Sequence, residues 1–352
     1  MSLYLPCGVY NDSYENDMAI VRTKFHKVTL VAFLILLLLV PQFLPREYVD
    51  KIIWIAIMVI GGMGIGLLTG YCGQITLGHS AFVAVGAYTS AILINEFRIH
   101  FLLTFPLAGL MAGLLGVLFG LPALRVKGFY LILTTLAAQF IIIYVIKHAD
   151  TYTGGTEALL IPFPKIGGKT LDTAHSYYYI AVPTACLMVF FARNITRSKI
   201  GRIFVAIKDN DLAAEVMGVR LFHYKLMAFF IGCFFAGIAG AVLASKVIMV
   251  DLAYFSMESS IWYLGILVIG GMGSIPGIIM GVVFIELMEH GVTWISPALA
   301  DAFPSVGANV SAAMGPMIFG SVVVLFLVFE PRGLYHMWQN ILAAVRVWPF
   351  SY

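Results

Sequence analysis

The side chains equipped for chemistry in this 352-residue chain are few and fall into separate groups. Glu286, Glu289 and His290 lie three and four residues apart, on one face if the segment is helical. Two carboxylates and an imidazole can relay protons or hold a metal ion. Yet Glu-x-x-Glu-His is neither His-Glu-x-x-His nor His-x-x-Glu-His, and no second ligand cluster stands elsewhere. Gln74 and His79 sit in a glycine-rich apolar stretch, where they either line a route for a polar solute or pack as neutral, hydrogen-bonded residues. Gly168-Lys169-Thr170 looks like the end of a phosphate-binding loop, but that motif requires glycine where the chain has Phe163. The four cysteines, Cys7, Cys72, Cys186 and Cys233, are far apart, so neither a disulfide framework nor a zinc site is indicated. The remaining concentration of charge runs from Arg193 through Arg202, Lys208, Asp209, Asp211 and Glu215 to Arg220.

Composition says what must position these residues. The chain is 61% hydrophobic and 11% charged, with a mean hydropathy of +0.95. A soluble domain carries about 25% charged residues because its surface faces water. Most of this surface therefore faces something apolar. The apolar runs are continuous and recur down the chain, which favours a bundle of membrane-spanning helices over a barrel, whose strands alternate. A net charge of +3 is too small to argue for nucleic acid.

About ten spans follow, each near the ~20 residues that cross a bilayer: 28–45, 51–69, 74–94, 102–121, 128–147, 176–193, 224–249, 254–270, 276–294 and 306–329. The stretches 61–78 and 270–277 are glycine-rich, and Pro276 interrupts the second, so both are candidates for broken or re-entrant segments. Arg22, Lys24 and Lys27 precede the first span, which reads as uncleaved with its basic flank in the cytoplasm. That orientation puts Arg125, Lys127, the 193–208 basic cluster, Arg332 and Arg346 inside, and the loop from His148 to His175 outside. Glu286, Glu289 and His290 would then lie close to the external interface if their helix ends near His290. Gly109-x-x-x-Gly113 and Gly116-x-x-x-Gly120 are spaced to let helices approach closely. Val59-Ile-Gly-Gly-Met-Gly64 recurs letter for letter at 268–273, either by chance or as the trace of duplicated halves.

Within 202–217, Phe204, Ala206, Ile207, Ala213, Ala214 and Met217 are spaced roughly as one helix face. Asp209, Asn210 or Asp211 can cap a short helix that ends at Gly218. Spacing alone leaves two readings open, a docking surface for a partner and an ordinary helix lying on headgroups.

The segment Leu212-Ala213-Ala214-x-x-x-Gly218 resembles the coupling loop of ABC importer permeases, whose pattern is Glu-Ala-Ala, three residues, Gly. Here Leu212 stands in place of the glutamate, with Asp211 before it. Gly70-Tyr-Cys-Gly-Gln74-Ile-Thr-Leu-Gly78-His79-Ser-Ala-Phe82, the stretch from Lys127 to Ala137, Thr153-Gly154-Gly155, the stretch from Gly270 to Gly277, and Pro331-Arg332-Gly333-Leu334 resemble, in order, branched-chain amino-acid permeases of the LivM type. The resemblance covers roughly 28–335. It implies an all-α permease domain over 28–335, flanked by cytoplasmic tails at 1–27 and 336–352, in the inner membrane. It also implies a second homologous permease subunit, two cytoplasmic ATPase subunits that bind ATP and magnesium, and an external solute-binding protein. No cofactor is expected on this chain. Arg202, Asn210, Ala213, Ala214 and Gly218 become the expected couplers to the ATPase, and Gln74, His79, Gly154 and Gly155 the candidates for the translocation path. Branched-chain amino acids are the family's default cargo, with urea, amides and other amino acids carried by near relatives. An ion-coupled carrier is the rival class, and Glu286 and Glu289 are its few candidate coupling sites.

Overall fold

The computed structural model describes residues 24–126, 128–155, 157–166, 169–170, 173–302 and 307–347. The chain opens with α1 (Lys24–Phe43) and α2 (Arg46–Ile65), which runs on as a π-helical turn (Gly66–Tyr71). After a non-helical stretch come α3 (His79–Asn95), α4 (Phe101–Ala123) and α5 (Phe129–His148). A short turn of helix, α6 (Asp150–Thr153), leads to β1 (Leu159–Leu160), β2 (Lys165–Ile166) and β3 (Lys169–Thr170). Then follow α7 (Ala174–Arg197), α8 (Lys199–Asp209), α9 (Asp211–Val216) and α10 (Leu221–Val247). The chain continues through β4 (Met249–Val250), a 3₁₀ turn (Leu252–Phe255), α11 (Met257–Gly270), α12 (Ile275–Ala302), α13 (Gly307–Phe329) and α14 (Gly333–Val347).

Six described helices are long and apolar enough to cross a membrane. A seventh span results if Met314–Phe329 and Gly333–Val345, bent by 48°, count as one. Apolar side chains such as Leu103, Leu118, Phe140 and Phe190 project outward, as they do where lipid is the solvent. Two of the drawn segments are not continuous helices. The third leaves 72–78 non-helical and becomes helical only at His79, and the eighth begins with the 3₁₀ turn before α11.

Within the apolar window of α2, 78% of residues are buried, and in α10 72%, against 33% in α5, so α2 and α10 lie at the centre. The small residues explain how. A Cβ on Gly113 would stand 2.9 Å from the Phe230 ring, and one on Gly116 2.6 Å from Cys233 Cβ, so the spaced glycines of α4 let α10 seat against it. Gly86 of α3 meets the backbone of Gly237 on α10 in the same way. The repeated hexapeptide is not a structural repeat. Its first copy lies inside α2, whereas the second ends α11 and turns at Gly271 and Gly273, with φ of 109° and 84°. Pro276 occupies the first turn of α12, where a missing N–H costs nothing, and so starts a helix rather than breaking one. That helix runs past His290 to Ala302, so Glu286, Glu289 and His290 lie mid-helix rather than at the expected helix end.

Contacts sort the loops into two ends. At one, Asn95 Nδ2 donates to the Leu160 carbonyl (2.8 Å), and β1 pairs antiparallel with β4. Lys169 and Thr170 belong there, in a two-stranded hairpin with Lys165 and Ile166 rather than at a helix N-terminus. At the other end, α8 meets the π-helical turn through Lys208, and Gly271 packs on the Arg332 carbonyl.

The α3–α10 crossing yields a test. Gly86→Val must push two backbones apart, an overpacking cost of about 1–3 kcal/mol. The detergent-solubilised protein should melt several degrees lower, whereas Gly320→Ala, with nothing within 4 Å of its added Cβ, should melt like the parent.

Candidate coupling site and solute cavity

α8 and α9 are joined at Asn210, which leaves helical geometry (φ −159°, ψ 105°) and caps α9 by accepting from the Ala213 amide at 3.0 Å. The single helix face expected across 202–217 is therefore two helices with a corner between them. Phe204, Ile207 and Ala214 are buried from both, against Leu68, Cys72, Leu131 and Phe229. The opposite side of α9 and the turn after it leave Leu212 64%, Val216 87% and Met217 83% exposed. Gly218 follows with φ +85° and open space around its missing side chain, so its role is conformational rather than steric. Arg202 is exposed on α8 and reaches back to the Arg197 carbonyl (3.3 Å), at the end of α7. Ala213 is exposed and Ala214 buried, which assigns one alanine to each face.

Deeper in the bundle the two short helices meet N-terminus to N-terminus. α3 runs from His79 toward the β1–β4 end, and α11 from Met257 toward the α8–α9 end. The Ser80 amide donates to Ser260 Oγ (3.0 Å), and Ser80 Oγ to the Ser256 carbonyl (2.7 Å). Gln139 of α5 bridges them: its Oε1 accepts from the Ala81 amide (2.9 Å), and its Nε2 donates to the Phe255 carbonyl (3.0 Å). Ser80, Gln139 and Ser260 are at most 2% exposed. This cluster supplies the partners that interrupted backbone cannot take from lipid.

Beside it lies a cavity of about 500 Å³, whose lining includes Trp54, Ser80, Phe255, Trp262 and Tyr263 and three carboxylates, Glu258, Glu286 and Glu289. Apolar walls with a few converging polar groups are what a small-molecule site requires. Of the residues expected along a solute path, none lines it. His79 is 1% exposed, donates from Nε2 to the Gly61 carbonyl (2.9 Å) and packs edge-on against Tyr263. It pins α3 to α2, which is the packing alternative read from sequence. Gln74 faces a second cavity of about 610 Å³ at the α8–α9 end, with Lys208 and Asn210. Gly154 and Gly155, with φ of 73° and 62°, make the turn after α6 near the opposite end. Ser80, Gln139 and Ser260 went unread in the sequence, although Gln139 alone interrupts the apolar run from Leu131 to Ile146 with an amide.

A helical bundle with a self-satisfied break at its centre, a solute-sized cavity beside the break and a two-helix corner at one end is that of a multi-pass membrane transport subunit. The family described as the branched-chain amino acid transport system / permease component matches residues 48–328, and the chain belongs to it. It is thus an ABC-transporter permease subunit, a transport component rather than an enzyme. The high-affinity branched-chain amino acid transport system permease protein LivM of Escherichia coli K12 is 29% identical over 339 residues, covering 90% of this chain and 76% of that one. The L-arabinose ABC transporter permease protein AraH of Azospirillum brasilense is 22% identical over 88% of this chain and 87% of its own. The autoinducer 2 import system permease protein LsrC of Escherichia coli O9:H4 is 24% identical, with 87% of each chain covered. No solved structure matches the chain.

The junction makes its own prediction. Gln139→Leu strips a buried amide of its acceptor, a loss of about 1–3 kcal/mol. Hydrogen exchange at the Ser80 and Ala81 amides should accelerate strongly in that variant, while amides at the centre of α10 keep their protection.

Proposed function

We propose that this chain is the inner-membrane permease subunit of an ATP-driven importer that carries branched-chain or similar small amino acids by alternating access. The observation that carries the reading is the two-faced corner at α8–α9. One side is seated in the bundle through Phe204, Ile207 and Ala214. The other presents Leu212, Val216 and Met217 beyond the bundle's end, where an apolar surface calls for a protein partner. In this reading α8–α9 is the cytoplasmic coupling element. Arg202, Asn210, Ala213, Ala214 and Gly218 shape its contact with an ATPase subunit, and Leu212 takes the apolar place of the family's glutamate.

The assembly is a pair of permease subunits, this chain and a homologue, with two cytoplasmic ATPase subunits and an external solute-binding protein. ATP and magnesium belong to the ATPases, and this chain holds no cofactor of its own. The permease domain spans 28–335 in about ten spans, with the two short helices meeting head to head counting as the third and eighth. Residues 1–27 and 336–352 flank it on the cytoplasmic side. A neutral or zwitterionic cargo suits the cavity beside the junction, where aromatic walls outnumber the carboxylates. The named cargo of LivM favours leucine, isoleucine and valine.

Reconstitution with these partners tests the reading. Uptake of radiolabelled leucine into proteoliposomes should require ATP and survive an uncoupler. Uptake that ignores ATP and stops with the uncoupler would replace this reading with an ion-coupled carrier centred on Glu286. Within the assembled importer, Gly218→Val forces a β-branched side chain into positive φ and should lower leucine taken up per ATP about tenfold. Gly218→Asn, which tolerates that conformation, should lie near the parent.

A further inference from the structure

Lys208 was read from the sequence only as one of several basic residues of a loop, yet its contacts set it apart. It stands in the last turn of α8, two residues before the Asn210 corner. Part of its length is in solvent, but the ammonium reaches across 138 residues of sequence to donate to the Gly70 carbonyl at 2.7 Å.

That carbonyl is open because of how the π-helical turn ends. The Cys72 amide bonds to the Leu67 carbonyl, Gly73 to Thr69 and Gln74 to Leu68, so the closing bonds step around Gly70. A lysine commonly serves such a terminal carbonyl. The stem of Lys208 runs in a slot that lacks side chains. A Cβ on Gly73 would stand 3.3 Å from Lys208 Cγ, and one on Gly273 3.4 Å from Lys208 Nζ. A Cβ on Gly70 would in turn lie 3.0 Å from the Gly273 amide nitrogen. Three helix C-termini thus converge on one cation: α2 through its π-helical turn, α8, and α11 through the turn at 271–273. Each brings the negative end of its dipole.

We propose that Lys208 is the positioning residue through which the α8–α9 corner moves the interrupted helices, tying its displacement to the ends of α2 and α11. The proposal rests on the coupling reading above. α9 touches the ATPase in that reading, and Lys208 is a side chain of the corner that bonds to the end of α2 at Gly70 and lies beside Gly273 in the turn after α11. A push on α9 then reaches the stretch 72–78, and through it the start of α3 at the buried junction beside the cavity. Lys208 touches no cargo. It acts through Gly70 and Gly273.

The test uses the complete importer in proteoliposomes, with parent, Lys208→Met and Lys208→Arg permeases. Two quantities are read: leucine taken up per ATP hydrolysed, and the change in hydrogen exchange across 70–78 when the ATPases are trapped with ATP and vanadate. In Lys208→Met, leucine per ATP should fall about tenfold while ATP hydrolysis stays within about twofold of the parent. The trapping-induced change at 70–78 should vanish. Lys208→Arg, which keeps a cationic donor, should recover most of both. An unchanged ratio and an unchanged exchange response in Lys208→Met would overturn the proposal. So would a variant that fails to assemble, or that loses uptake and hydrolysis in parallel, because Lys208 would then be a part of the scaffold. If the parent itself takes up no leucine, the cargo assignment falls. The exchange response, which needs no cargo, then decides the role of Lys208 by itself.

Discussion

Backbone that leaves helical geometry inside an apolar layer must still find a partner for each amide and carbonyl, because hydrocarbon offers none. This constraint is met at one place by Ser80, Gln139 and Ser260. α3 and α11 are too short to cross a bilayer singly, at ~25 Å and ~20 Å by their rise per residue. They are viable because their starts complete one another and because α5 lends a side-chain amide to both. The neighbouring cavity then follows from geometry. Where two half-helices meet head to head, the chain leading into each must turn aside, and the turn before α11 contributes Ala253, Phe255 and Ser256 to the cavity wall.

Around that point the rest of the bundle is arranged by size. Glycines on α3, α4 and α10 bring three backbones together and enclose the junction without large side chains. The outer helices carry the bulky residues toward lipid. The α8–α9 corner is held to this frame by the apolar seat of Phe204 and Ile207, by Lys208 Nζ on the Gly70 carbonyl and by the Lys225–Asp211 ion pair at 3.6 Å.

Much of this was legible in the residues. Composition and continuous apolar runs are enough for an all-helical membrane bundle, and the glycine-rich stretch 61–78 contains the place, 72–78, where the helix breaks. The cap at Asn210 and the turn at Gly218 follow from local chemistry that a sequence carries openly. What stayed hidden depends on pairs far apart in the chain. Ser80 and Ser260 are ordinary serines until α3 and α11 face each other, 180 residues apart. His79, the more conspicuous side chain, turned out to be a strut, since a polar residue in an apolar run announces only that it is satisfied, not by what. The repeated hexapeptide, left open between chance and duplication, serves a helix interior in one place and a turn in the other.

The head-to-head arrangement of α3 and α11 has an electrical consequence. Each N-terminus carries roughly half a positive charge from its aligned peptide dipoles. Set against each other in a low-dielectric interior, they form a positive zone of backbone origin, with Glu258 in the first turn of α11 and Glu286 in the adjoining cavity wall as opposite charges. A zwitterion or neutral solute passing beside it carries no net charge to be repelled. The break that shortens both helices thus lays down a charge pattern of its own beside the cavity.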